Sequence, residues 1–320
     1  MGNKNKTKKA TKQKNVTDDE QFGINDCHKP KPRKLKTRRR TTKMTSVAIK
    51  KKPYRYKTIF LFPNDLGQKK PGVEKAPAYL NKYINHRHHS VIPVKNTGDL
   101  FQNIRDLYKA NEGVKGKRVN IGGDHSMSIA TIADTINRYP NAKVVYFDAH
   151  ADLNTYQSSL SKHYHGMPLS FVTGLDPDSQ HHFHFLKNKL PFSHLLYIGS
   201  RCWDIFEVDE VDKRKIQFIT PAEINQHFDE SIRRISEFVG NSPVHVSFDV
   251  DSIDPKYIPS TGTPVKRGLE LNKAKKILEF LNSKNVVNMD ITELNMDLGS
   301  REDGIKSGKN TVKLFSHFLS

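Results

Sequence analysis

From about Tyr56 onward, short apolar runs alternate with longer segments in which apolar residues recur every three or four positions. The runs 57–62 (KTIFLF), 91–94 (VIPV), 118–122 (RVNIG), 143–148 (KVVYFD), 195–199 (LLYIG), 216–219 (IQFI), 244–250 (VHVSFDV) and 286–291 (VVNMDI) have the length and β-rich composition of strands. Helical periodicity falls between several of them, over 76–84, 98–111, 126–138, 222–239 and 272–282. Alternating strands and helices predict an α/β fold with a parallel sheet covered by helices. The strands are nearly continuous in apolar residues, which fits burial on both faces. No repeat of fixed period interrupts this pattern.

The first 55 residues read differently. They are Lys, Arg, Thr and Asn with few large apolar side chains, and cannot bury enough surface to offset the entropy of ordering. The expected organisation is therefore a disordered basic tail over 1–55 and one domain over 56–320. Residues 1–57 hold 20 Lys and Arg against 4 acids, so the tail carries most of the chain's net charge of +19. The domain itself is near neutral. The cluster from Lys29 to Arg40 reads as a nuclear address or as an arm for a polyanion such as nucleic acid. An equal reading is a solvated tail that aids solubility.

The two cysteines, Cys27 and Cys202, do not make a disulfide framework and suit a reducing, intracellular compartment, cytoplasmic or nuclear. No run of about 18 apolar residues predicts a membrane span. The N-terminus lacks the apolar core of a secretory signal.

Three runs carry the chemistry: Gly122-Gly123-Asp124-His125, Asp148-Ala149-His150-Ala151-Asp152 and Asp249-Val250-Asp251. In extended chain, alternate side chains project to one face, so these acids and imidazoles converge. Each run also closes a predicted strand, at the sheet edge where open α/β proteins bind ligands. Carboxylates with an imidazole suit Mn²⁺, with Mg²⁺, Fe²⁺, Co²⁺ and Zn²⁺ left open. Two such ions sharing a water would lower its pKa and supply a hydroxide for attack on carbon or phosphorus.

The other histidines and the aromatic beside Cys202 have plainer readings. His86, His88 and His89 read as surface residues, and His245 as a strand residue packed among neighbours. His181, His182 and His184 form an exposed patch. Trp203 packs beside the pocket, and Cys202 is a small buried residue rather than a nucleophile.

The runs 148–154 (DAHADLN), 247–255 (SFDVDSIDP) and 122–126 (GGDHS) resemble those of the arginase/agmatinase (ureohydrolase) family. So do 71–77 (PGVEKAP), 261–264 (TGTP) and 289–293 (MDITE), in the same order over about residues 58–318. His165, in the run 165–169 (HGMPL), follows Asp152 at the spacing arginases use. The resemblance implies a three-layer α-β-α fold with a mostly eight-stranded parallel sheet, of the arginase/deacetylase type. It implies two Mn²⁺ per subunit and hydrolysis of L-arginine to L-ornithine and urea. The alternative is agmatine or another guanidino or formimino substrate. A further alternative is a non-catalytic metal-binding protein with a nucleic-acid-binding tail.

The resemblance assigns His125, Asp148, Asp152 and Asp249 to one ion, and Asp148, His150, Asp249 and Asp251 to the other. Asp148 and Asp249 would bridge. Asp152 would orient the bridging hydroxide, Glu293 would face the guanidinium, and His165 would shuttle a proton to the leaving amine. His150, Asn154, Ser159, Ser161, His163, Asp204, Glu207, Thr263 and Glu293 would line the substrate pocket. Lys162 and His163 stand where arginases usually carry Gly-Asn, and Arg201-Cys202-Trp203-Asp204 departs from the usual Arg-Asp-X-Asp. Asn272 and Lys273 replace an Arg-Glu pair that helps such chains form a homotrimer.

Overall fold

The computed structural model describes residues 27–28 and 57–319. Apart from Cys27 and His28, the expected tail over 1–55 and its boundary with the domain lie outside the described residues. Among the described residues eight strands follow one another: β1 (Lys57–Phe62), β2 (His89–Pro93), β3 (Lys117–Gly122), β4 (Lys143–Phe147), β5 (Leu195–Ile198), β6 (Gln217–Ile219), β7 (Val244–Asp249) and β8 (Val286–Thr292). They form one sheet in the order β2-β1-β3-β8-β7-β4-β5-β6, and every pairing is parallel.

Among the described residues, ten α-helices connect and cover the strands. They are α1 (Ala76–Asn81), α2 (Leu100–Glu112), α3 (Ser128–Arg138), α4 (Pro168–Thr173), α5 (Ser179–His182), α6 (Ile205–Arg214), α7 (Pro221–Gln226), α8 (Phe228–Val239), α9 (Leu271–Asn282) and α10 (Arg301–Leu319). Period-2 alternation decides which core each strand residue joins. Val145, Phe147, Val246, Phe248, Met289 and Ile291 pack with residues of α1 and α7 to α10. Val144, Tyr146, Leu195 and Tyr197 point the other way, into a second core with α2, α3 and α4. Three layers result, because both faces of the strands are apolar enough to need a cover.

The predicted helix over 222–239 is two helices. Thr220 accepts from the backbone of Glu223 while Glu223 reaches back to the Thr220 N–H, closing a capping box on α7. His227 then leaves helical geometry, and Asp229 and Glu230 open α8 with acids in its first turn. Helix α10 escaped the sequence pattern because two glycines weaken it. Gly308 is there for packing: a Cβ would stand 2.8 Å from the Tyr79 ring. Helices α4, α5 and α6 were also not anticipated.

Two further expectations fail. His89 is buried as the first residue of β2, whereas His86 and His88 are exposed as expected. Cys27 and Cys202 are joined in a disulfide across 175 residues, with Cα atoms 4.6 Å apart. The neighbouring His28 pairs with Trp203 through two backbone hydrogen bonds. Cys202 is thus half-buried and bonded. No spacing between the two suggests a pair so distant along the chain. Trp203 is buried beside Tyr197 and Phe218, in line with its packing role.

Candidate active site

The three chemical runs leave the carboxyl ends of β3, β4 and β7, strands that lie together at the centre of the sheet. Their convergence has a different cause from the strand pleat expected above. Asp148 lies just past β4 and accepts the backbone N–H of His150 (2.7 Å). Asp249 ends β7 and accepts that of Asp251 (2.7 Å). Asp124 does the same for Ser126 (2.9 Å). Each first acid folds the chain into an Asx turn, which brings the side chain two residues on back toward the first. Gly123 permits the close crossing beside β1: a Cβ there would meet the Asn64 carbonyl oxygen at 1.8 Å.

The turns collect imidazoles and carboxylates in two groups. His125 Nδ1 lies 3.0 Å from Asp148 Oδ2, 3.1 Å from Asp152 Oδ2 and 3.4 Å from Asp249 Oδ2. His150 Nδ1 lies 3.1 Å from Asp251 Oδ2 and 3.4 Å from Asp148 Oδ1. Among the described residues, two sets could each hold a cation: His125, Asp148 and Asp249, and Asp148, His150 and Asp251. Asp148 belongs to both. Asp152 stands beside the first, in left-handed backbone geometry (φ 49°), an uncommon conformation for a residue other than glycine.

Crowding of buried carboxylates dominates the electrostatics. Burial, then Asp152 and Asp251, push Asp148 up to about 7. Burial, then Asp251 and Asp148, raise Asp249 well above the usual carboxylate range. Burial disfavours charge on His125, but Asp148, Asp152 and Asp249 outweigh it and hold its pKa well above the ordinary value. His150 is raised in the same way against burial, by Asp251 and Asp148. Burial would also raise Asp251, yet His150 pulls it below the usual range. Asp148 Oδ2 is buried without a well-formed hydrogen bond. Four crowded acids, an orphaned carboxylate oxygen and two imidazole nitrogens facing them are a donor set that fits divalent cations.

Glu293 follows β8 with φ 66° and is 1% exposed. Its Oε1 accepts the backbone N–H of His125 (2.8 Å) and lies 3.2 Å from His165 Nδ1, while Oε2 accepts the Gln68 amide (2.8 Å). Burial opposes a charged His165, but Glu293 raises its pKa above the ordinary value. Burial, then Glu293, push nearby Asp124 up to about 6.

The mouth is built from loops. Asn154 donates to Asp204 Oδ2 (2.7 Å), and Ser159 and Ser161 place their hydroxyls 3.4 Å apart. Glu207 accepts backbone N–H groups of Leu153 (2.9 Å) and Asp204 (3.0 Å). Burial, then Asp204, raise it to about 8. Thr263 donates to Asp251 Oδ2 (3.0 Å), linking the mouth to the floor. His163 is half-buried with its ring 5.8 Å from that of His165, and burial, then His165 and Lys69, lower its pKa. Lys162 turns away: its Nζ donates to the carbonyls of Tyr156 (2.5 Å) and Gln157 (3.2 Å). His181, His182 and His184 join no metal-binding group among the described residues.

Three contributors were not singled out from sequence. Tyr146 stacks on His125 (4.7 Å between centroids) and donates to Asp152 Oδ2 (2.8 Å). Its inward position on β4 was the available signal. Gln68 had no signal, because it reaches Glu293 from a loop 225 residues away. Arg201 donates to five carbonyls, those of Gly199, Asp251, Ser252, Val265 and Lys266, and so ties the Asp251 turn to the loop after it.

Residues 57–319 match the model of the arginase family. The arginase of Entamoeba histolytica is 32% identical over 289 residues, covering 81% of this chain and 96% of that protein. Its crystal structure in complex with L-ornithine superposes with a TM-score of 0.75 at 29% identity, covering 83% and 98% of the two chains. The arginase of Bacillus subtilis superposes with a TM-score of 0.73 at 28% identity, over 83% of this chain and 98% of that one.

Proposed function

Since the chain belongs to the arginase family of amidinohydrolases, we propose that it hydrolyses L-arginine to L-ornithine and urea with two Mn²⁺ ions. The observation that carries this reading is the shared Asp148, which joins two imidazole–carboxylate groups beside Glu293. His125, Asp148, Asp152 and Asp249 would hold one ion, and Asp148, His150, Asp249 and Asp251 the other. A pair of divalent ions supplies a water acidified enough to act as nucleophile near neutral pH.

The chain's own residues do the rest. Glu293, fixed by His125 N–H and Gln68, offers carboxylate oxygens to the planar donors of a guanidinium. Tyr146 holds Asp152 so that its carboxylate orients the attacking water. His165 is steadied at Nδ1 by Glu293, which leaves Nε2 to deliver a proton to the departing δ-amine as the carbon–nitrogen bond breaks. Asp204 supplies the negative charge for an α-ammonium, with the carboxyl of Glu207 beside it as a hydrogen-bond partner; Asn154, Ser159, Ser161 and His163 offer hydrogen bonds to the α-carboxylate end, and Thr263 lines the pocket against Asp251. The Entamoeba relative holds L-ornithine, the product this reading requires.

We further read the chain as an intracellular protein, cytoplasmic or nuclear, whose basic tail offers a site for polyanions; Asn272 and Lys273 stand in place of the charge pair that helps related chains form a homotrimer. No helix among the described residues is long and apolar enough to cross a membrane. The deciding assay measures urea released by the Mn²⁺-loaded protein from L-arginine, agmatine and guanidinobutyrate, and formamide from formiminoglutamate. Turnover of L-arginine at least tenfold above the others supports the proposal. Preference for a substrate lacking the α-amino or α-carboxylate group overturns the specificity and keeps the hydrolase chemistry.

A further inference from the structure

A line of buried polar side chains runs from His125 into the centre of the sheet, and the reaction described above does not use it. His125 Nε2 lies 2.8 Å from Ser247 Oγ on β7, and Ser247 Oγ lies 2.9 Å from Ser128 Oγ at the start of α3. Ser128 donates to Asp290 Oδ2 on β8 (3.0 Å). All four residues are at most 1% exposed. Asp290 is surrounded by donors. Thr131 Oγ1 (2.6 Å) and His245 Nε2 (3.0 Å) share its Oδ2, and Asn120 Nδ2 (2.9 Å) reaches Oδ1. Burial would raise its pKa, but His245 and these hydrogen bonds hold it below the usual carboxylate range. His245 therefore does more than pack, since it anchors a buried anion.

The direction of every hydrogen bond follows from that anion. An ionised carboxylate only accepts, so the one hydroxyl proton of Ser128 points at Asp290. Ser128 Oγ then accepts the proton of Ser247, and Ser247 Oγ accepts from His125 Nε2–H. The nitrogen left for a cation is Nδ1, the one that faces Asp148, Asp152 and Asp249. Tyr146 Oη also lies 3.2 Å from Nδ1, but its phenolic proton goes to Asp152, so it offers that nitrogen no proton and leaves its lone pair for a cation. Partners of this kind fix both the tautomer and the ring orientation of a metal-binding imidazole.

We propose that Ser247, Ser128 and Asp290 are positioning residues that hold His125 with Nε2 protonated and Nδ1 presented to one ion of the pair. This rests on the two-ion reading above. The test is Ser128→Ala in the full chain, titrated with Mn²⁺ by calorimetry, with circular dichroism to verify the fold. Without Ser128, the Ser247 proton turns to His125 Nε2 and favours the wrong tautomer. One of the two binding steps then weakens about ten- to a hundred-fold while the other holds. Thr131→Ala, which removes a different donor to the same Asp290 oxygen, leaves both steps unchanged. A folded Ser128→Ala protein with wild-type affinities overturns the proposal. So does equal weakening of both steps, or matching weakening in Thr131→Ala.

Side-chain ¹⁵N spectra of His125 in metal-free protein, recorded at a pH high enough for its imidazole to be neutral, separate this inference from the reading beneath it. The wild type shows Nε2 carrying a proton, and an unprotonated Nε2 overturns the relay. Wild-type protein that binds no Mn²⁺ but retains that proton sinks the two-ion reading alone.

Discussion

The floor of the site and its mouth are built by opposite means. On the floor, His125, Asp148 and Asp251 are at most 1% exposed, at the ends of central strands, and each turn is closed by a backbone N–H onto a carboxylate. At the mouth, Leu160 is 79% and Ile205 64% exposed, and Lys162, Asp204 and Thr263 stand in solvent-facing loops. The sheet fixes the chemistry, and loops free to vary around it set what enters. The contrast predicts where substitutions bite.

The largest effect belongs to Asp148→Asn. The amide keeps an oxygen for the His150 N–H but removes the charge that both cation-binding groups share. Turnover falls by on the order of 10³-fold or more, because several kcal/mol of cation-dependent stabilisation is lost. Stability moves in opposite directions in the two states. Burial, Asp152 and Asp251 disfavour a charged Asp148, so at pH 8 the metal-free variant melts above metal-free wild type. Its gain in melting temperature on adding Mn²⁺ shrinks. A metal-free variant that melts lower would make Asp148 a structural residue.

Glu207→Gln comes next, at the boundary between floor and mouth. Glu207 has its pKa raised by burial and then Asp204, to about 8 in the folded protein against an unfolded value near 4.3. A raised carboxylate binds more protons folded than unfolded, so its contribution is full below about pH 4. It is lost as pH rises toward 8. Gln mimics the protonated acid. Thermal melts from pH 5 to 9 should lose a slope that amounts to a few kcal/mol in the wild type. At pH 9, where Glu207 is ionised in the wild type, the KM for L-arginine rises about tenfold with kcat nearly kept, since a rim contact acts equally in ground and transition states. An unchanged slope would mean that Glu207 stays ionised through its two backbone donors.

The same division explains what the sequence disclosed. The alternating apolar runs were enough for eight parallel strands and two covering layers, because both faces had to be buried. The acids and imidazoles of the floor were legible because they sit in three compact runs at strand ends. The pleat argument nevertheless named the wrong device, since Asx turns at Asp148 and Asp249 bend the chain. What could not be read depends on contacts between distant positions: Gln68 on Glu293, the Ser247–Ser128–Asp290 line, and Cys27 with Cys202. Long-range pairs of single residues leave no periodicity and no motif.

The disulfide offers a way to perturb the mouth alone. Cys202 lies between Arg201, which clamps the Asp251 turn, and Asp204 at the rim, whereas Cys27 brings, among the described residues, His28 and one β-bridge. Reduction by a dithiol, or Cys27→Ser, frees that segment without touching an acid of the floor. The expected result is unchanged Mn²⁺ content and a shift of a few-fold in KM, with kcat nearly constant. Loss of bound metal on reduction would show that the tether reaches the floor through Arg201.

The smallest effect is expected at Lys162, in the exposed loop of the mouth. Lys162 sits at φ 59° and aims its ammonium at the carbonyls of Tyr156 and Gln157, with the Tyr156 ring 5.0 Å away. Lys162→Gly removes two exposed hydrogen bonds, worth little net in water, and relieves about 1 kcal/mol of left-handed backbone strain. The two terms nearly cancel, so the melting temperature moves little. Because Nζ points away from the site, KM for L-arginine changes by less than about threefold, or roughly 0.6 kcal/mol. A rise of tenfold or more would mean that the ammonium swings inward to meet the substrate carboxylate. The rim would then be remade on binding, and the contrast with the rigid floor would be one of motion as well as exposure.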